Sequence, residues 1–268
     1  MKYVYSAGAM GYYGEGYMWH YLFEFPKFPF VTKTITLHPK NGHPWRIWRW
    51  NKSIYNQVAL HNPGFQIWKE KFYKPNERAI VSIAGTQEEV DYIVSELDKL
   101  EIKGIEINIS CPNTKLRKIQ IHQIPESRHP IWLKVGSCDY EFDEKIEDLD
   151  RIEGIRLNSV WKKSWFRDGW AVSGKGAQFE NWWFLKHLIK KGWNVSGCSF
   201  TNIDELKYLI KFLGVREIAI GSIMLIKPDL VEKIEKICDE ITRELEMEDQ
   251  LVQRMREQDE EIFGCESI

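Results

Sequence analysis

Short apolar runs alternate with amphipathic segments along most of the chain, and this alternation predicts a repeated strand and helix fold. Eight runs have the length and composition of buried strands. They lie at residues 3–5, 28–31, 79–83, 104–108, 131–135, 154–157, 193–197 and 217–220. The segments between them predict helices at 11–25, at 87–100, 141–150, 178–191 and 202–213, and one that begins near residue 65. Eight such units favour the α/β class and a single (β/α)8 TIM barrel.

The end of the chain predicts a long helix rather than another barrel unit. From Pro228 onward one apolar stripe runs through a strongly charged segment; it consists of Leu230, Ile234, Ile237, Ile241 and Leu245. We therefore expect a barrel over residues 1–228 and an acidic helix or tail over 229–268. The first half of this helix should pack on the barrel, and the remainder should be solvated.

Small or polar residues stand where six of the predicted strands end. They are Lys33, Asn108, Lys134, Asn158, Gly197 and Gly221. Right-handed crossovers would place the carboxyl ends of all strands on one face, so these residues should surround one pocket. The loops after the seventh and eighth strands are common phosphate sites in such barrels, which predicts a phosphate-bearing cofactor.

Composition and charge narrow the class of partner. The net charge of −2 gives no general case for nucleic acid or membrane surfaces, so we expect a small-molecule partner. The five cysteines are scattered, without a Cys-x-x-Cys pair, which favours a reducing cytoplasm and gives no metal site. Aromatic and basic residues alternate over residues 45–50; base stacking is one interpretation, and ordinary packing is the favoured one.

The candidate chemistry is concentrated in the segment after the fourth predicted strand. Here an apolar run ends in Asn108, Ser110, Cys111 and Asn113. A cysteine whose thiolate is stabilised can act as a base, and neighbouring amides can hold a planar substrate. A buried structural cysteine in a turn is the alternative for any isolated Cys-Pro pair.

Several of these motifs together resemble the dihydroorotate dehydrogenases, which are FMN-dependent barrel enzymes of pyrimidine biosynthesis. The matching segments are 31–34, Asn56 with 62–64, 82–85, 108–113 and Lys134. The Asn-x-Ser-Cys-Pro-Asn element is the specific part, and its cysteine resembles the soluble class 1 enzymes. The resemblance is strong over 31–158 and patchy from there to 224, as in a divergent and shortened member.

The resemblance implies a role for each matched residue. Cys111 would remove the C5 proton of dihydroorotate while hydride passes from C6 to the flavin N5, with Lys134 beside the flavin. The substrate would be held by Asn56, Asn108, Asn113, Asn158 and Ser159. FMN would be held by Ala7, Gly8, Lys33, Lys134, Gly174, Gly176, Gly197, Gly221 and Ser222.

The sequence also departs from the family pattern. Paired glycines at the seventh strand are replaced by Gly197-Cys198, whose side chain could crowd the phosphate, and the segment between Cys111 and Lys134 is short. The chain begins close to its first predicted strand, where the family usually has a leading hairpin.

Two other functions stay open on these grounds. The chain could be a flavin-dependent reductase of another pyrimidine, as in the dihydrouridine synthases, or a catalytically inactive barrel that serves as a binding protein. The resemblance leaves the electron acceptor open between fumarate and NAD, the latter through a separate iron–sulfur flavoprotein subunit. It also implies a homodimer.

Overall fold

A computed structural model describes residues 1–111, 120–137, 139, 141–162 and 170–263. Its strands are, in chain order, β1 (Lys2–Tyr5), β2 (Phe30–Val31), β3 (Ile47–Trp50), β4 (Ser53–Asn56), β5 (Asn76–Ile83), β6 (Ile102–Asn108), β7 (Ile131–Val135), β8 (Ile152–Leu157), β9 (Val160–Lys162), β10 (Trp170–Gly174), β11 (Ser196–Gly197) and β12 (Glu217–Ile220). Its helices are α1 (Phe65–Lys71), α2 (Gln87–Leu97), α3 (Gln178–Lys190), α4 (Ile203–Lys211), α5 (Ile223–Ile226), α6 (Pro228–Glu232) and α7 (Ile234–Phe263).

Eight parallel strands form the barrel. Their order around the sheet is β11, β12, β1, β2, β5, β6, β7 and β8. The two outer strands meet through a parallel bridge between Ile155 and Val195, and the Ile155 amide donates to the Asn194 carbonyl at 2.7 Å. The predicted (β/α)8 barrel is therefore confirmed, and the carboxyl ends of its strands share one face.

Side chains alternate along each strand, so the apolar residues form two layers, one inside the barrel and one outside it. On β5, Ile80 points into the barrel, whereas Val81 and Ile83 pack outward against α2. The inner layer is small and consists of Val4, Val31, Ile80, Trp132 and Ala219. Other inward positions carry polar or charged side chains, among them Ser82, Glu106 and Asn108.

Helix α2 shows why the periodic segments were predictable. The Thr86 side chain accepts a hydrogen bond from the Glu89 amide, and the Glu89 carboxylate accepts one from the Thr86 amide at 2.9 Å. This capping box satisfies two amides that would otherwise lack partners. Val90, Ile93, Val94 and Leu97 then form the buried face.

A second sheet covers part of the barrel mouth and was not predicted. It is antiparallel, with the order β3, β4, β10 and β9. The β3–β4 hairpin turns at Asn51 (φ 41°) and Lys52 (φ 59°), the left-handed conformation that tight hairpins require. None of the eight predicted strands falls on β3, β4, β9 or β10.

Two predicted helices were wrong. Residues 141–150 form only the short 3₁₀ turns Phe142–Glu144 and Leu149–Arg151, with a left-handed residue at Asp148 between them. Residues 11–25 contain only the 3₁₀ turn Met18–Leu22, because Gly11, Gly14 and Gly16 all have positive φ. The strand predicted at 193–197 is limited to β11 and the bridge at Val195.

The C-terminal helices pack on the barrel as the stripe predicted. Leu230, Ile234 and Ile241 are buried in the main core, whereas Leu251 further along α7 is 59% exposed. Among the described residues no helix, α7 included, is long and apolar enough to cross a membrane.

Candidate active site

One cavity of about 450 Å³ opens at the carboxyl end of the barrel strands. Among the predicted site residues, those that line it are Ala7, Gly8, Lys33, Asn56, Asn108, Cys111, Lys134, Asn158, Ser159, Gly221 and Ser222. They come from the ends of six barrel strands or the loops that follow and from β4, so the fold brings together positions that are up to 215 residues apart in sequence.

The two buried asparagines form a hydrogen-bonded pair at the base of this cavity. Asn158 Nδ2 donates to Asn108 Oδ1 at 3.3 Å and also to the Ser110 carbonyl. Asn108 Nδ2 donates in turn to Thr34 Oγ1 at 3.2 Å. Both side chains are less than a tenth exposed, so their amide planes are fixed before any ligand arrives.

The cysteine lies at the cavity wall just after β6. Cys111 is half-buried, and its side chain is a thiol that borders the cavity. The predicted substrate residue Asn113 lies outside the described residues, which resume at residue 120. The half-buried setting leaves the Cys111 side chain accessible from the cavity.

Beneath Lys134 the barrel contains a buried carboxylate. Lys134 Nζ lies 3.9 Å from Glu106 Oε1, and the Glu106 side chain is only 1% exposed. The hydroxyl of Ser82 donates to the same oxygen at 2.9 Å. A carboxylate this deep is stable only when it is paired and hydrogen-bonded, so Glu106 and Lys134 hold each other in place.

Arg156 completes this buried network. Its Nη1 lies 3.6 Å from Glu106 Oε2, and its Nε lies 3.5 Å from Glu217 Oε1. The guanidinium also lies 4.5 Å from the centre of the Trp132 ring, a favourable cation–π distance. Two carboxylates and two cations therefore balance inside the barrel, directly under the cavity.

Lys33 reaches the opposite wall of the cavity between two tyrosine rings. Its Nζ lies 5.2 Å from the Tyr12 ring centre and 5.8 Å from that of Tyr17. Burial lowers the pKa of Lys33, and the Glu15 carboxylate acts in the opposite direction. Burial also raises the pKa of Tyr17 to about 12, so its hydroxyl stays protonated and donates to the Gly8 carbonyl at 2.7 Å.

The loop after β11 carries a side chain where the family pattern has glycine. Cys198 lines the cavity, with its Sγ 3.8 Å from Asn181 Nδ2 and 3.7 Å from Ser199 Oγ. Burial raises the pKa of Cys198 to about 11, so the group stays a neutral thiol at neutral pH. The Cys198 thiol therefore contacts Asn181 and Ser199 and also borders the cavity.

Three predicted cofactor residues do not line the cavity. A Cβ at Gly197 would lie 2.9 Å from Val215, and one at Gly176 would lie 2.7 Å from Val172. Gly174 has φ 74°, and a Cβ there would lie 2.6 Å from the Lys52 carbonyl oxygen. These glycines permit close packing of β10 and β11 against neighbouring protein segments.

Sequence reasoning missed the buried charges and the aromatic wall. The signal for the charges was present in the strands, because Glu106 shares inward parity with Asn108, and Arg156 shares it with Asn158. Tyr17 gave no comparable signal, since its position depends on a loop with several left-handed glycines.

Fold and site together define the chain as a (β/α)8 barrel whose cavity, lined by apolar residues together with a cysteine, lysines and asparagines, lies at the carboxyl end of the strands. A family model described as dihydroorotate dehydrogenase matches residues 6–141. This match covers just over half of the 268 residues, and the chain belongs to the dihydroorotate dehydrogenase family.

Curated relatives match a shorter segment. The chain is 43% identical over 91 residues to the dihydroorotate dehydrogenase B (NAD(+)) catalytic subunit of Thermoanaerobacter pseudethanolicus, which is 32% of this chain and 30% of that protein. It is 37% identical over 108 residues to the protein of the same name from Geobacter metallireducens, or 38% and 35% of the two chains. The chain thus spans about a third of the length of the curated relatives it matches.

The fold has a counterpart among solved structures. A crystal structure of ligand-free dihydroorotate dehydrogenase from Eimeria tenella matches with a TM-score of 0.57 and 18% identity. The match covers 76% of this chain and 74% of that one. At this identity the comparison supports the barrel fold alone.

Proposed function

We propose that the chain is an FMN-dependent oxidoreductase that oxidises dihydroorotate to orotate. The observation that carries the proposal is the meeting of Cys111, Lys134, Asn108 and Asn158 at one cavity. Three of these residues lie within the segment that the family model matches. A base, a cation and two fixed amides are the groups that proton removal from a planar, hydrogen-bonding ring requires.

The residues present fit FMN. The cavity volume falls within the range of about 300–1,000 Å³ that cofactor sites occupy. Ala7, Gly8, Lys33 and Lys134 would hold the flavin ring. The loops after β11 and β12, with Ser199, Gly221 and Ser222, would hold the phosphate, because all three residues line the same cavity. When bound, FMN would accept the hydride from C6 of dihydroorotate at its N5 atom.

The protein side chains would divide the remaining work. The Cys111 thiolate would take the C5 proton and become a thiol, while Asn108 and Asn158 hold the pyrimidine ring through their fixed amides. Lys134 would place positive charge where negative charge develops during the reaction. Glu106 would keep that ammonium group in position from below, at the 3.9 Å separation described above.

Replacement of Cys111 tests this proposal directly. Cys111→Ala should bind FMN like the wild-type protein but fail to reduce it with dihydroorotate at neutral pH in the absence of oxygen, because the base is missing. Loss of a general base slows such steps by about 10²–10⁴-fold. Cys238→Ala removes a buried thiol of α7 that lies outside the cavity and is the matched control.

The outcomes separate the alternatives. Wild-type protein with bound FMN that stays oxidised with dihydroorotate, but reacts with another reduced pyrimidine, would favour a reductase of that pyrimidine. Equal reduction rates in Cys111→Ala and Cys238→Ala would remove Cys111 from the mechanism. Failure of the folded protein to bind FMN would leave the barrel as a binding protein.

We further propose NAD as the final electron acceptor. The support is that both relatives described above carry NAD(+) in their names and are called catalytic subunits. Anaerobically reduced protein should then reduce NAD only after a partner subunit is supplied. Rapid reoxidation by fumarate without any partner would contradict this choice.

A further inference from the structure

Positive charge is concentrated in one segment of this nearly neutral chain. Residues 25–69 contain no Asp or Glu. The same segment contains seven cationic residues, namely Lys27, Lys33, Lys40, Arg46, Arg49, Lys52 and Lys69. The net charge of −2 therefore conceals a basic region, and the β3–β4 hairpin lies within it.

Three exposed tryptophans lie on the β3–β4 hairpin or just before it. Trp45 is 76% exposed, Trp48 64% and Trp50 66%. Such large aromatic surfaces normally gain a partner because each can bury about 150–250 Å². The sequence favoured ordinary packing for these residues, and the structure leaves them in solvent.

One face of the hairpin is anchored to the barrel mouth. Ile47 lines the cavity, and the Arg49 guanidinium donates to the carbonyls of Leu225 at 2.9 Å and Ile226 at 3.2 Å. Side chains alternate along a strand, so Trp48 and Trp50 lie together on the opposite face. Same-face neighbours are about 6.6 Å apart along a strand, which is wide enough for each ring to take a separate base.

The cationic side chains of the hairpin donate hydrogen bonds to neutral groups. Arg46 Nη1 donates to the neutral Gln57 side chain at 2.7 Å, and Arg49 donates to neutral carbonyls. In the described part of the chain no carboxylate lies within 4.0 Å of the charged groups of Arg46, Arg49 or Lys52. Their field is therefore not cancelled locally and can attract a polyanion.

We propose that the β3–β4 hairpin binds single-stranded nucleic acid. Exposed aromatic rings interleaved with Arg and Lys are the combination that stacks on bases while neutralising phosphates. A membrane surface fits less well, because interfacial segments carry their cations and their Trp, Phe and Leu on opposite faces, whereas Arg46 has the same strand parity as Trp48 and Trp50. This inference departs from the expectation drawn from net charge, and it does not depend on flavin chemistry.

Binding of labelled oligonucleotides tests the proposal. Fluorescence anisotropy with a fluorescein-labelled oligouridylate of about 20 nucleotides, at about 50 mM salt, should show saturable binding to the full chain. Trp48→Ala should weaken this binding by at least about 5-fold through the loss of stacking, while Trp48→Phe should retain most of it. Trp183→Ala, which removes a 59% exposed tryptophan from α3, is the matched control.

Salt dependence separates phosphate contacts from stacking. Arg46→Gln or Lys52→Gln should each reduce the slope of log affinity against log salt by about 0.7, whereas Trp48→Ala should leave the slope unchanged. Circular dichroism and the melting temperature of each variant would establish that it is folded.

Three outcomes would overturn the proposal. They are absence of binding at low salt, equal binding by folded Trp48→Ala and wild-type protein, and binding of vesicles rich in phosphatidylglycerol without binding of the oligonucleotide. The last result would make the hairpin a membrane contact. None of these outcomes bears on dihydroorotate oxidation, so the two proposals fail separately.

Discussion

Glu106 is the residue on which the buried cations depend. It pairs with Lys134 at 3.9 Å and with Arg156 at 3.6 Å, and its side chain is 1% exposed. Removing one partner of a buried ionic network leaves uncompensated charge, which costs far more than losing a surface pair.

The variant Glu106→Gln should therefore be strongly destabilised despite its almost identical shape. We expect the free energy of unfolding to fall by about 3–5 kcal/mol, measured by urea denaturation. Glu244→Gln, which breaks the exposed pair with Lys207, should change it by no more than about 0.5 kcal/mol. Similar losses in the two variants would mean that the buried network is not a stabilising unit.

Single residues differ in how well the sequence predicts their place. Lys134 and Asn108 could be placed at the cavity because each is a polar residue at the end of an apolar strand. The carboxyl ends of all barrel strands lie on the same face. Gly174 and Gly197 could not be placed in this way, because glycine serves close packing of protein segments as readily as contact with a ligand.

Among the elements, α7 is buried near its start and exposed at Leu251. Ile234 is fully buried against the barrel core, and Leu251 on the same helix is 59% exposed. Two aliphatic side chains on one helix thus have different energetic roles.

A pair of truncations tests this division. Ile234→Ala should lower the free energy of unfolding by about 2–5 kcal/mol, because it opens a cavity in the core. Leu251→Ala should change it by about 0.5 kcal/mol or less. A large loss in Leu251→Ala would show instead that Leu251 is buried in solution.

Elements whose apolar residues recur at a regular spacing were predicted from the sequence, and elements without such a spacing were not. The spacing of Val90, Ile93 and Leu97 is enough to define α2. The β3–β4 hairpin escaped prediction because its β3 residues are exposed on both faces and show no apolar alternation. Residues 141–150 do not form a helix, although Phe142, Ile146 and Leu149 have helical spacing and pack on the core, because Asp148 adopts a left-handed conformation (φ 58°).

At the scale of the whole molecule, closure of the barrel determines which residues meet at the cavity. The bridge between Ile155 and Val195 brings β8 beside β11, and so sets Asn158 and Cys198 on one cavity wall. The order of strands followed from the alternation of strands and helices, whereas the antiparallel sheet over the mouth depends on pairings between β4 and β10, more than 110 residues apart. Pairings of this range leave no local pattern in the sequence.

The central claim is that this cavity oxidises dihydroorotate with FMN as the immediate acceptor. The most direct measurement is a single-turnover experiment without oxygen, in which FMN-loaded wild-type protein is mixed with excess dihydroorotate and orotate is quantified by chromatography. Our account predicts about one orotate per bound FMN, formed as the flavin loses its visible absorption. Oxidised flavin and no orotate, from protein shown to be folded and FMN-bound, would contradict it.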